Sequence, residues 1–161
     1  MITEKKIQYF ALIIFILTAY FSIGHHQSDE YFQVIEFAQY KLGNISSNEL
    51  PWEFHEKMRP SIQPWITYIT IKSFTFLGIT NPFTIAMIIR VITALAFWTV
   101  ITKLNKILSQ TYFPDKKWST LFYATTYLLW FIPYISVRFS SENYSALFFL
   151  MGIYFFLKNI H

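Results

Sequence analysis

Asp29 and Glu30 are adjacent carboxylates in an otherwise oily chain, and such a pair can act as a general base or bind a cation. They lie in a polar stretch, residues 25–64, that holds six of the nine acids: Asp29, Glu30, Glu36, Glu49, Glu53 and Glu56. Further along it, Trp52-Glu53-Phe54 sets a carboxylate between two aromatic rings, and Arg59 could grip a phosphate through two N–H donors. Each has a plainer reading. Acids in a first helical turn offset the dipole, aromatic–acid–aromatic triplets anchor at membrane interfaces, and an arginine can snorkel to headgroups. Arg138 and Glu142 form a later pair that could be a salt bridge and no more. Arg90 falls inside an apolar run, where an ionisable side chain is functional, paired, or near enough to the end to snorkel. His25 and His26 are adjacent and point apart, so without a helical His-x3-His partner they make a poor zinc site.

The elements that must position these residues are helices in a bilayer. The chain has 161 residues, 54% hydrophobic and 21% aromatic with only 14% charged. A soluble domain of this size has too little interior to bury so much apolar surface. The composition predicts an all-α, polytopic membrane protein. The absence of cysteine excludes disulfides and thiolate metal sites. A net charge of +4, with lysines beside apolar runs, suits membrane orientation rather than nucleic-acid binding.

Residues 7–23 read as a first span. The run is longer than a signal peptide's apolar core, and Gly24-His25-His26 is no small-x-small cleavage site. Lys5 and Lys6 put the N-terminus in the cytoplasm, so loop 24–82 lies outside. Within it, Ser28 can cap a helix over about 29–42, with Tyr31, Ile35, Ala38 and Leu42 on an apolar stripe. Asp29, Gln33, Glu36 and Tyr40 share a polar stripe, and Gly43-Asn44 ends the helix. The stripes predict a helix lying on the membrane.

Segment 61–78 tempts a transmembrane reading but carries Lys72, and a mid-bilayer lysine costs about 2.5–3.5 kcal/mol on insertion scales. If it spanned, Lys103, Lys106, Lys116 and Lys117 would fall outside the cytoplasm, against the positive-inside rule. It is therefore read as a second interfacial or re-entrant helix. Residues 83–101, 118–135 and 144–157 complete four spans, with 103–117 cytoplasmic. The whole, 1–161, is one module.

Taken together, these residues resemble glycosyltransferase family 22, the Alg9-like and GPI mannosyltransferases of the GT-C superfamily. That family follows its first helix with a His-Pro-Asp-Glu loop, an aromatic and Gln, a further Glu, a glycine, Thr-Trp-Glu-aromatic, and Arg-Ser-x-x-x-Pro. Asp29-Glu30-Tyr31-Phe32-Gln33, Glu36, Gly43, Trp52-Glu53-Phe54, Arg59 and Pro64 fall in that order with closely matching spacing. Arg90-Val91-Ile92-Thr93-Ala94-Leu95 looks like the family's Pro-Arg-Leu-x-x-Ala-Leu, and Arg138 like the arginine of its Arg-Thr-Leu-Ser-Asn. There are departures. Gln27-Ser28 stands for His-Pro, Gln39 for a histidine, Pro51 for the threonine, and the serine after Arg59 is shifted by one to Ser61. Glu142 stands where the family has asparagine, and Ser145 where it has a later glutamate.

The resemblance implies a GT-C-like N-terminal module with about four transmembrane helices and two interfacial helices in the first extracytoplasmic loop. It covers only the front part of a family member, so the chain reads as a piece of a longer fold. It implies an inverting transfer of a sugar, mannose by resemblance, from a polyprenyl-phosphate donor to a glycolipid or glycan acceptor. Asp29 and Glu30 are the catalytic candidates. Glu36, Trp52, Glu53, Arg59, Arg138 and Glu142 are the substrate-binding ones. No obligatory cofactor is expected, since arginine can stabilise a lipid phosphate, although a divalent cation between Asp29 and Glu142 stays open. The departures suit a bacterial member, which favours a bacterial inner membrane over the endoplasmic reticulum. The rival reading is a catalytically incomplete fragment or membrane assembly protein that keeps the front of the fold. A small transporter is discouraged by spans that are too apolar.

Overall fold

A computed structural model describes residues 3–24, 28 and 30–160. The regular elements among those residues are all helices, with no strand among them. The order is α1 (Glu4–Phe21), a π-helical segment (Glu30–Ile35) running into α2 (Glu36–Lys41), a 3-10 turn (Ser47–Glu49), and α3 (Trp52–His55). Then come α4 (Ile62–Phe76), α5 (Pro82–Tyr112), α6 (Lys116–Leu128), α7 (Phe131–Ser136) and α8 (Ser141–Ile160).

The ends of these helices are written in the sequence. Thr3 accepts the Lys6 N–H at 3.4 Å to open α1. Asn81 accepts from the Phe83 and Thr84 N–H groups at 2.9 and 3.3 Å, and Pro82 occupies the first position of α5, where its missing N–H is harmless. Asp115 caps α6 in the same way, through Lys117 and Trp118. Gly43 and Gly78, with φ of +79° and +84°, close α2 and α4. At the first, the Asn44 N–H reaches the Gln39 carbonyl and the Gly43 N–H the Tyr40 carbonyl, which satisfies two orphan acceptors.

Four helices make the bundle. Ile7, Ala11, Phe15 and Ala19 recur every four residues on α1 and pack on Ala94, Phe97, Val100 and Leu104 of α5. Tyr123 and Tyr127 of α6, Val137, and Leu147 of α8 complete that core. Hydrogen bonds between helices fix their directions. Trp98 Nε1 donates to the Gln8 carbonyl while Arg90 reaches Ser22, so α1 and α5 run antiparallel. Ser119 donates to Glu4 at 2.6 Å, starting α6 beside the start of α1. Thr93 meets Tyr144 at 3.1 Å, and Lys103 lies over the Tyr154 ring, so α8 runs parallel to α5. Loops 22–81 and 137–140 therefore meet at one end of the bundle.

At that end a second core gathers Val34, Ile85, Ile89, Phe139 and Tyr144, with Ile35, Ile66, Ile71 and Ile79 against it. It seats the π segment and α4 on the first turns of α5, so α4 stays at this end and does not run the length of the bundle. With 15 residues α4 is also shorter than the ~20 that a span requires. Its buried residues are Gln63, Pro64, Thr67 and Thr70, while Ile62, Trp65, Ile69 and Phe76 face outward. Its fully buried residues are thus mostly polar, with Ile66 and Ile71 half-buried against the second core.

Several elements differ from the sequence reading. Segment 29–42 is π-helical over Glu30–Ile35, and its buried face is Glu30, Gln33, Val34, Phe37 and Ala38, with Tyr31 exposed. The i→i+5 pairing of a π turn displaces side chains from 3.6-residue stripes, and the buried polar groups are those that find partners. α5 is 31 residues long, about 46 Å at 1.5 Å per residue, and continues through Lys103 and Lys106 because nothing before Phe113-Pro114 breaks it. Segment 118–135 is two helices. Pro133 has no N–H for the Leu129 carbonyl and its ring would clash with it, so α6 ends at Leu128 and α7 restarts at Phe131. Ile132 takes that carbonyl at 2.8 Å instead. Among the described residues one helix, α5, is long and apolar enough to cross a membrane.

Candidate functional site

Where loops 22–81 and 137–140 meet, charge is buried. Glu30 is fully buried at the start of the π segment, and its Oε2 lies 3.9 Å from Arg138 Nη1. Arg138 is itself buried in the connection between α7 and α8, where Ser136, Val137, Phe139 and Ser140 are buried too. Irregular backbone inside a protein must have its carbonyls met, and Asn143 does this: its Nδ2 donates to the carbonyls of Ile135 at 2.6 Å and Arg138 at 2.5 Å. The guanidinium stacks 4.8 Å from the Tyr134 ring and donates to the Gly24 carbonyl at 3.3 Å.

Arg90 converges on the same point from α5. Its Nη1 donates to the Ser22 carbonyl at 2.6 Å and its Nη2 to the Gly24 carbonyl at 2.7 Å. These carbonyls lie at the negative end of the α1 dipole, which favours cations. Snorkelling, the plainer sequence reading, is thereby excluded: Arg90 is 6% exposed and points into the protein. Among the described residues neither the Arg90 Nε nor the Arg138 Nε has a hydrogen-bond partner. The sequence carried half of this signal, an ionisable residue within an apolar helix. The other half, carbonyls 66 and 68 residues away, had none.

A second constellation sits in the same loop. Glu53 accepts from Arg59 Nη2 at 2.7 Å and from Gln33 Nε2 at 3.0 Å, so each carboxylate oxygen is engaged and α3 is tied to the π segment. The Arg59 hydrogen bond, with help from its charge and from Gln33, holds the Glu53 carboxyl below the ordinary carboxylate range. Gln33 was legible as one letter of a motif and as a member of a polar stripe, not as a partner of Glu53.

The remaining sequence candidates are spread. Asp29 lies outside the described residues. Glu36 is partly buried, and desolvation raises its carboxyl above the usual 4.5. Trp52 is 64% exposed, and Glu142 is exposed in the first turn of α8. The geometry thus brings together Glu30 with Arg138, and Glu53 with Arg59. Among the described residues no group of three or more His, Cys, Asp or Glu could hold a metal ion.

Glu36 gives a pH-dependent prediction. Because its folded-state value is raised, the folded protein binds its proton more tightly than the unfolded chain does. Stability is then highest below about 4.5, falls as pH rises through the folded value, and stays lower above it. Glu36→Gln is expected to raise the melting temperature at neutral pH and to leave it nearly unchanged near pH 4. Circular dichroism melts at the two pH values check this.

A groove of about 450 Å³ runs from Gly24 and Arg90 between the π segment, α4 and α5, walled by Ile35, Ile71, Ile85 and Ile89. It is within the size range of small-molecule sites, mostly apolar along its walls with Gln39, Asn44, Thr67, Thr75 and Thr80 among them, and cationic at one end.

The family model described as the Alg9-like mannosyltransferase family matches residues 7–161. No curated protein and no solved structure gives a match.

Proposed function

The chain belongs to the Alg9-like mannosyltransferase family, and from that premise we propose that its buried charge cluster transfers mannose from a polyprenyl-phosphate donor with inversion. The observation that carries this reading is the convergence of Arg90 and Arg138 on the Gly24 carbonyl beside Glu30. Two desolvated guanidiniums that converge at one point suit a departing phosphate. The acceptor hydroxyl attacks the anomeric carbon, its proton passes to Asp29, and the C–O bond to phosphate breaks with its electron pair on the phosphate oxygen. Arg138, oriented by Glu30 and Tyr134, faces that oxygen.

In this reading α1, α5, the α6–α7 pair and α8 cross the bilayer, with the N-terminus cytoplasmic. The π segment and α2–α4 lie at the outer surface. The outward faces support this: Phe10, Ile13 and Leu17 of α1 and Phe148, Phe149 and Phe156 of α8 are exposed apolar side chains around a core that includes polar pairs. A lipid-linked donor reaches the site sideways, and the Arg90-ended groove offers its chain an apolar wall. Glu36, Trp52 and Glu142 enter the reading as sugar and acceptor contacts on the motif resemblance alone. Glu53 acts by holding Gln33 and Arg59 in place.

The test is transfer itself. The purified chain in lipid is given polyprenyl-phosphate [14C]mannose and a glycolipid acceptor, and the anomeric configuration of the product is read by α- and β-mannosidase digestion. Labelled glycolipid of inverted configuration supports the reading; a retained configuration, or label that appears only as free mannose, would sink it.

A further inference from the structure

Lysines collect at the end of the bundle where α1 and α6 begin and α5 and α8 finish. Lys5 and Lys6 lie in the first turn of α1, and Lys116 and Lys117 in that of α6. Lys103 and Lys106 stand in the last third of α5, and Lys158 in the last turn of α8. These seven of the thirteen cations share their end with two of the nine acids, Glu4 and Asp115. The other six cations fall with the other seven acids in residues 29–90 and 138–142, toward the opposite end. We propose that the lysine-bearing end is a binding surface for anionic phospholipids, engaged through the phosphates of their headgroups.

Three observations carry this. The first is unmatched charge. The seven lysines are exposed, and among the described residues none of them forms an ion pair. The two acids beside them are occupied with the fold: Glu4 accepts the Ser119 hydroxyl at 2.6 Å, and Asp115 accepts the Lys117 and Trp118 N–H groups. The second is position. Lys5, Lys6, Lys116 and Lys117 stand at helix N-termini, where the dipole disfavours a cation. They do not stabilise their own helices, and an anion there answers both the side chains and the dipoles. The third is depth. About 20 residues at 1.5 Å each cross ~30 Å of hydrocarbon, and counted from Pro82 that length is used up near Ile101. Lys103 and Lys106 then stand in the headgroup layer. Lys103 lies over the Tyr154 ring, one turn before Lys158, which brings the end of α8 to the same level.

The surface next to the lysines favours a lipid over a nucleic acid. Tyr9 and Phe10 of α1, Trp118 and Leu121 of α6, and Phe155 and Phe156 of α8 are exposed apolar side chains. A cationic rim over an apolar belt complements a phosphate head on an acyl chain. A polynucleotide, charged along its whole length, would leave the belt in water. This proposal rests on the membrane reading above and not on the transfer chemistry.

The test is lipid selectivity. The full chain is reconstituted in phosphatidylcholine vesicles with a trace of spin-labelled phosphatidylglycerol or spin-labelled phosphatidylcholine. Electron paramagnetic resonance then gives the share of each label immobilised on the protein. At low salt phosphatidylglycerol is expected to be preferred about five-fold, the worth of one lysine at an anionic headgroup, and the preference is expected to fade in about 0.5 M salt. The combined variant Lys103→Gln, Lys106→Gln, Lys116→Gln, Lys117→Gln should bring the two lipids near parity. It should melt at the wild-type temperature, since no ion pair is lost. Lys41→Gln, Lys57→Gln and Lys72→Gln together, toward the other end, should keep the preference. Equal immobilisation of both lipids by the wild-type chain at low salt would overturn the proposal. A preference that survives the first variant or vanishes in the second would do the same, as would salt-sensitive binding of a fluorescent oligothymidylate with no preference for phosphatidylglycerol. The salt series on the wild-type chain needs no substitution, so a poorly folded variant still leaves the proposal open to refutation. Insertion, read by flotation of the vesicles, and sugar transfer are measured separately, so an inserted chain without the preference counts against this proposal alone.

Discussion

Glu30→Gln is expected to destabilise the protein by about 3–5 kcal/mol, the loss typical when one partner of a buried ion pair is removed. The carboxylate is fully buried, lies 3.9 Å from Arg138, and its charge also acts on Arg90. A neutral amide keeps the shape and removes the charge. Two guanidiniums are then left buried near each other, with backbone carbonyls and the Tyr134 ring as their partners among the described residues. Glu142→Gln is the control. It is exposed in a first helical turn, where the change should stay within about 0.5 kcal/mol. Chemical unfolding of the two variants in the same detergent reads the difference, and equal shifts would mean that burial of Glu30 has been misjudged.

The adjacent change, Asp29→Asn, is expected to act on the reaction. Loss of a general base costs about 10²–10⁴-fold in rate. Asparagine matches the size of aspartate and cannot take the proton of the acceptor hydroxyl. The expected signature is a fall in kcat with little change in the KM for the donor, since the donor is held by its phosphate and chain. Steady-state transfer with both substrates varied gives the split. A variant with unchanged kcat would remove Asp29 from the chemistry, and the family's motif would then mark position rather than proton transfer.

Much of the frame was legible because its signals are local. Asn81-Pro82 announces the start of α5 through a side-chain acceptor and a missing N–H, and Gly43 and Gly78 announce stops through backbone that other residues resist. Lys72, with the lysines farther on, argued for an interfacial or re-entrant helix over 61–78, and a helix is found over Ile62–Phe76. What escaped was set by distant partners. The inward turn of Glu30 and Gln33 depends on Arg138 and Glu53, and a π turn has no periodic signature of its own. Pro133 stood in plain view, yet the apolar run around it masked the break it makes at Leu129. Of the candidate site, the acids and arginines were nameable from their types. Their pairing, and the entry of Arg90 into the cluster, required the antiparallel packing of α1 on α5.

The central claim is that the two loops carrying the charged residues lie on one side of the bilayer. The chain has no cysteine, so single cysteines can be introduced and labelled with a membrane-impermeant maleimide in sealed vesicles. Ser46→Cys, before α4, and Thr80→Cys, after it, should label from the same face as Glu142→Cys, while Asp115→Cys, between α5 and α6, should label from the other. Labelling of positions 46 and 80 from opposite faces would make α4 a span, put Glu30 and Arg138 on different sides, and contradict the site.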